Sequence, residues 1–190
     1  MVPGSKRPPT RWRDELDYVL ISPALLRRRV KDLAEQIEAE YQGRELVIVS
    51  LLTGTILFLA DLIRFIDLPM RVDFMGVSSY REGTTSRQLV FTKDLRLDVK
   101  GRDVLIVDDI LDTGRTLKAV TARLKKLKPS SLRICVLLDK PARRKINIAA
   151  DFVGFEIPDL FVVGYGLDFA ERYRNLPFVG VLHPNMYKNA

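Results

Sequence analysis

Two adjacent carboxylates, Asp108 and Asp109, end an apolar run, and Asp112-Thr113-Gly114-Arg115-Thr116 follows closely behind them. Carboxylates repel phosphate, but they accept hydrogen bonds from sugar hydroxyls and hold hard cations such as magnesium through oxygen. Gly114 allows close backbone approach, and Thr113 and Thr116 supply hydroxyls. The N–H groups at a helix start favour an anion, most simply phosphate. Together these residues could cradle a sugar phosphate. Taken alone, a strand-end aspartate can equally cap the following helix.

The flanking pattern says what must position them. Val104 to Val107 is a β-branched apolar run, as in a parallel strand covered on both faces. From Leu117 the apolar residues recur as Leu117, Val120, Leu124 and Leu127, the spacing of a helix with one buried stripe. Asp108 to Thr116 would then lie beyond the carboxyl end of a strand, where open parallel sheets bind ligands. Upstream, Ser22-Pro23 caps a helix with the stripe Leu26, Val30, Leu33 and Ile37, closed by Gly43. A strand at Glu45 to Ser50 leads through Leu51-Leu52-Thr53-Gly54 into a helix, Thr55 to Ile66, apolar on most faces and so expected to be buried. Met70 to Val77 and Gln88 to Thr92 read as strands around a polar loop, Ser78 to Ser86. Leu132 to Leu138 is a further buried strand, and Asp151 to Phe155, Phe161 to Tyr165 and Phe178 to Leu182 are shorter ones. The alternation predicts an α/β fold: a central, mostly parallel twisted sheet flanked by helices, with a small hood over its carboxyl edge.

The 190-residue length suits one domain, residues 16–190, with its core at about 45–150 and its hood from about 151–190 plus N-terminal residues. Residues 1–15 are basic, proline-rich and short of apolar residues, and are expected to form a flexible tail. No apolar stretch reaches the roughly 18 residues of a membrane span, so no membrane association is expected. The single cysteine, Cys135, excludes an internal disulfide and fits a buried thiol in a cytoplasmic protein. His183 is the only histidine, which leaves little material for a histidine-dependent triad or a multi-histidine metal site. The net charge of +7 suits either nucleic acid or a small polyanionic substrate. Because the basic residues are dispersed along the chain, the small substrate is expected and nucleic acid is not.

The string VLIVDDILDTGRTL resembles the phosphoribosyl diphosphate motif of the type I phosphoribosyltransferases, an apolar strand running into paired acids and then Asp-Thr-Gly-x-Thr. From roughly Leu46 to Leu182 the chain is similar to the hypoxanthine-guanine branch of that family. The resemblance implies that Asp108 and Asp109 hold the ribose hydroxyls and magnesium, and that Asp112 to Thr116, Arg115 included, binds the 5′-phosphate. Asp112 would lie beside purine N7 as general base. Leu52, Thr53 and Gly54 stand where the family has its diphosphate loop, with the Leu52–Thr53 peptide often cis. Many members carry lysine where this chain has Thr53. Ser79 and Tyr80 match a mobile catalytic loop, and Arg174 would contact the diphosphate. Lys140 would donate to a purine 6-oxo group, Phe161 would stack on the base, and Val162 would read its edge. Asp168 would hold a magnesium ion or its water beside base and diphosphate.

The reaction implied is purine salvage, transfer of the phosphoribosyl group from phosphoribosyl diphosphate to N9 of a 6-oxopurine, in a homodimer or homotetramer. Two other readings are a phosphoribosyltransferase for xanthine or another base, and a nucleotide-sensing regulator that binds RNA. The regulator would need a concentrated basic stripe with aromatic partners.

Overall fold

The computed structural model describes residues 6–80 and 88–187. Its main sheet has strands β2 (Leu46–Leu52), β3 (Met70–Tyr80), β4 (Gln88–Lys93), β5 (Asp103–Leu111), β6 (Ser131–Asp139) and β7 (Phe152–Glu156), in the order β4-β3-β2-β5-β6-β7. All neighbours are parallel except β3 and β4. In β5, Leu105 and Val107 face a core shared with helices α1 (Pro23–Tyr41) and α2 (Ile56–Ile63), while Val104 and Ile106 face α3 (Arg115–Lys126). Both faces are covered, which is why the strand reads as a continuous apolar run. Ser22 caps α1 by accepting from the Leu25 N–H, and Pro23 opens it. Arg29 of α1 donates to the carbonyls of Val153 and Gly154 at 2.8 and 2.7 Å, covering part of the edge strand β7.

A second sheet, in the order β1-β9-β8, joins β1 (Leu16–Ile21) to β9 (Val179–Leu182) and β8 (Val162–Val163). This is the hood, built from both ends of the chain.

Several expectations need correction. Strand β5 runs on to Leu111, so Asp108 and Asp109 sit within the strand and only Asp112 onward forms the turn. The reason is β6, which continues alongside and pairs Asp108 with Val136 and Leu111 with Asp139. Strand β7 extends the main sheet, so the hood begins after it. Residues from Lys6 onward are not a free tail: Lys6 and Val19 exchange backbone hydrogen bonds, and Trp12 packs edge-on against Tyr173. Ser78 to Tyr80 belong to β3, paired with Leu89 and neighbours, rather than to a loop. Residues 81–87 of that expected loop lie outside the described residues. Helix α2 is less buried than its composition suggests, with Ile56 48% exposed.

Candidate active site

Strands β2 and β5 are neighbours, yet β2 winds through α2 to β3 on one side and β5 winds through α3 to β6 on the other. A crevice opens where such connections diverge. There a cavity of about 280 Å³ is lined by Leu52, Gly54, Asp108, Asp109, Asp112 and Thr116, among others. The Leu52–Thr53 peptide is cis. Gly54 has no room for a side chain, since a Cβ there would stand 1.8 Å from Asp109 Oδ2. Gly114, at φ +85°, turns the chain into α3, and a Cβ on it would stand 2.7 Å from Ile148. Thr113, Gly114 and Thr116 therefore line the cavity at the helix start, where backbone N–H groups favour an anion. Arg115 and Thr53 are exposed, and neither side chain lines the cavity.

The paired acids are electrostatically uncomfortable. Burial pushes the Asp108 carboxyl well above the usual carboxylate range, and the charge of Asp109 pushes it further. Burial also pushes Asp109 up, against its hydrogen bonds and the charge of Arg174. Asp108 accepts from the Asp109 N–H at 3.0 Å and from Thr55 Oγ1 at 3.4 Å. Two half-satisfied carboxylates of this kind suit hydroxyl donors or a hard divalent cation. Among the described residues no three His, Cys, Asp or Glu side chains form a metal-holding group. Asp168 therefore does not join Asp108 and Asp109 in one. It pairs with Arg174 at 2.9 Å instead, and its carboxylate accepts from the Glu171 N–H at 3.0 Å.

Arg174 also donates to the Gly166 carbonyl at 2.9 Å and pairs with Glu171 at 2.8 Å. Gly166, at φ +101°, presses on the diphosphate-loop candidate, because a Cβ on it would stand 1.9 Å from the Gly54 carbonyl oxygen. The hood segment carrying Asp168 and Arg174 is thus seated directly on the core loop.

A second cavity, of about 380 Å³, is lined by Asp112, Lys140, Arg143, Phe161, Val162 and Tyr187, among others. Lys140 donates to the Leu160 carbonyl at 2.5 Å. Burial pulls its ammonium below the ordinary lysine range, against the charges of Asp112 and Asp159. Phe161 is 38% exposed and Val162 is buried in the hood sheet. Asp112 lines both cavities. Ser79 and Tyr80 close β3, and their side chains lie outside the described residues.

The sequence reading missed Arg143, whose Nε donates to Asp112 Oδ1 at 3.2 Å, and Arg144, which donates to the Leu111 carbonyl at 3.0 Å and pairs with Asp139. Their signal was the basic run directly after Lys140. Thr55 and Tyr187 were missed as well, and neither carries a local signal.

A family profile described as "Phosphoribosyl transferase domain" matches residues 19–170. The chain is 47% identical over 178 residues to the hypoxanthine-guanine phosphoribosyltransferase of Bacillus subtilis, covering 93% of this chain and 99% of that protein. It is 48% identical over 177 residues to the enzyme of that name from Staphylococcus aureus, with coverages of 93% and 99%. A crystal structure of a hypoxanthine phosphoribosyltransferase from Staphylococcus aureus matches with a TM-score of 0.90 at 47% identity, over 95% of this chain and 98% of that one. The hypoxanthine-guanine phosphoribosyltransferase structure from Bacillus anthracis gives 0.84 at 43% identity, over 89% and 99%.

Proposed function

The chain belongs to the phosphoribosyl transferase family, and on that premise we propose that it transfers the 5-phosphoribosyl group from phosphoribosyl diphosphate to N9 of hypoxanthine or guanine. IMP or GMP and diphosphate are the products, and the reaction salvages purines. The observation that carries this reading is Asp112, the acid shared by the two cavities. One cavity has the glycine turn, helix start and paired acids that suit a sugar phosphate. The other has a lysine and an exposed phenylalanine, which suit a flat base with a carbonyl.

In the transfer, the bond from the anomeric carbon to the diphosphate oxygen breaks, the bond to purine N9 forms, and the purine loses a proton. Asp112 is the acceptor for that proton at N7. Asp108 and Asp109 take hydrogen bonds from the ribose hydroxyls, and the turn at Thr113 to Thr116 holds the 5′-phosphate. Lys140 donates to the 6-oxo group; a 6-amino group would oppose donor to donor, so adenine is a poor acceptor. Phe161 supplies the stacking face, Val162 its backbone at the base edge, and Arg174 a cation toward the diphosphate. Magnesium fits Asp108 and Asp109, whose oxygens are hard ligands with no third acidic partner beside them among the described residues. The ion would complete its shell from substrate oxygens and water. When bound, it neutralises the diphosphate leaving group.

A homodimer or homotetramer is part of the same reading. So is a cytoplasmic location, supported by a buried free thiol at Cys135. Among the described residues no helix is long and apolar enough to cross a membrane. The RNA-binding alternative is less well supported. Arg172 stands over Tyr173 beside Trp12, but it is paired with Glu15 at 3.2 Å.

The test is product formation from phosphoribosyl diphosphate across hypoxanthine, guanine, xanthine, adenine and uracil, with and without magnesium. IMP and GMP formation that depends on magnesium is expected. Turnover confined to xanthine or uracil would replace this reading with the other-base alternative.

A further inference from the structure

The ring of Tyr187 lies on a face of Phe161, with centroids 4.9 Å apart and planes inclined by 21°. Tyr187 also lines the cavity that holds Asp112 and Lys140. Flat rings in contact stand about 3.5 Å apart, so a base slotted between two of them needs about 7 Å. No purine fits between Phe161 and Tyr187 as they stand. Phe161 meets a third ring, Phe169, edge-on at 5.5 Å and 88°, which holds it in place while leaving it 38% exposed.

The tether of Tyr187 is weaker than that of the residues before it. His183 is fixed to Glu15 by a 2.9 Å backbone bond, and Met186 to His183 by another of 2.9 Å. The Tyr187 N–H reaches the Pro184 carbonyl only at 3.4 Å. The chain is therefore anchored by its backbone as far as Met186, and the Tyr187 ring, partly buried, rests between Phe161 and the hood cluster that includes Leu16, Phe178 and Leu182.

We propose that Tyr187 gates the base site: its ring takes the stacking place on Phe161 that the incoming 6-oxopurine needs, and the two exchange. This rests on the function proposed above. Exchange means that part of the purine's stacking gain is spent on displacing tyrosine. Tyr187 then sets affinity for the base and leaves the sugar-phosphate half of the site alone. An aromatic pair of this kind corresponds to roughly two- to ten-fold in affinity.

The experiment compares wild type, Tyr187→Ala and Tyr187→Phe by steady-state kinetics with hypoxanthine and by calorimetric binding of GMP. Tyr187→Ala should lower the KM for hypoxanthine and the Kd for GMP by roughly two- to ten-fold, with the KM for phosphoribosyl diphosphate unmoved. Tyr187→Phe, which keeps the ring, should restore the wild-type base KM. A higher base KM in Tyr187→Ala would make Tyr187 a wall of the site and overturn the gate, as would an unchanged one. Failure of the wild type to use hypoxanthine or guanine would overturn the functional reading itself, a result separable from either.

Discussion

Arg143 Nε stands 3.2 Å from Asp112 Oδ1 and 3.7 Å from Asp159 Oδ1, so a cation already steadies the carboxylate proposed to take the purine's proton. Asp112→Asn keeps an oxygen for Arg143 to hold and removes the negative charge and with it the capacity to accept a proton. Turnover should fall by about 10² to 10⁴, the usual range for a lost general base, with the KM for phosphoribosyl diphosphate little changed. Thermal stability should barely move, because the pair is 47% and 38% exposed and such pairs contribute about 0 to 1 kcal/mol. Steady-state kinetics and a melting curve check both halves. Full turnover in Asp112→Asn would take the base role away from Asp112.

Asp108 illustrates function held at a cost in stability. Burial and the charge of Asp109 raise its folded-state pKa above the 3.8 of the free side chain. The folded state then binds more protons than the unfolded one over that interval, so stability falls as pH climbs from 3.8 to the folded value and stays reduced above it. Asp108→Asn removes the penalty. Its Tm at pH 7 should rise. Affinity for phosphoribosyl diphosphate should drop about ten- to a hundred-fold, since a charge-assisted hydrogen bond to the ribose is lost. Calorimetry of both properties on the same protein gives the answer. A lower Tm would mean that Asp108 is ionised and satisfied within the fold.

How much of this was visible in the sequence depends on the range over which each feature is decided. The strand at Val104 to Val107 and the turn at Gly114 follow from local pattern, because both faces of β5 are covered and α3 needs a left-handed entry. The extension of β5 to Leu111 is decided by β6, which no window around Asp108 contains. Strand β1 is harder still, since Leu16 pairs with Leu182 at the other end of the chain. In the site, Asp112 and Lys140 were legible as chemistry-bearing residues after apolar strands. The Arg143–Asp112 contact was not. It depends on the short helical turn Pro141–Arg143 folding back toward β5.

Asp73 ties the hairpin that bears Ser79 and Tyr80 to the rest of the sheet. Burial works against its ionisation, yet the N–H groups of Leu97, Arg96 and Phe74 and the ammonium of Lys93 bring its carboxyl down to about 2. A depressed folded-state pKa adds stability that is complete above 3.8 and is lost as pH falls through about 2. The wild type should therefore lose roughly 1–2 kcal/mol more than Asp73→Asn between those limits. Urea unfolding at a series of acidic pH values measures the difference. Parallel slopes would show that Asp73 does not carry this acid sensitivity.

Thr53 stands where the family resemblance implies a lysine, and its exposure makes the difference testable. A lysine there would point from the diphosphate loop into solvent with room to reach a bound anion, since Gly54 beside it lines the sugar-phosphate cavity. An added charge within about 4 Å of a phosphate in water is worth about 1 kcal/mol, or roughly five-fold in affinity. Thr53→Lys should accordingly lower the KM for phosphoribosyl diphosphate about five-fold at low salt. The gain should shrink as ionic strength rises and screens the pair. A salt-independent gain would point to loop rearrangement rather than charge. No gain at any salt would mean that the backbone N–H groups around Gly54 hold the diphosphate beyond the reach of position 53, and that threonine there costs the enzyme nothing.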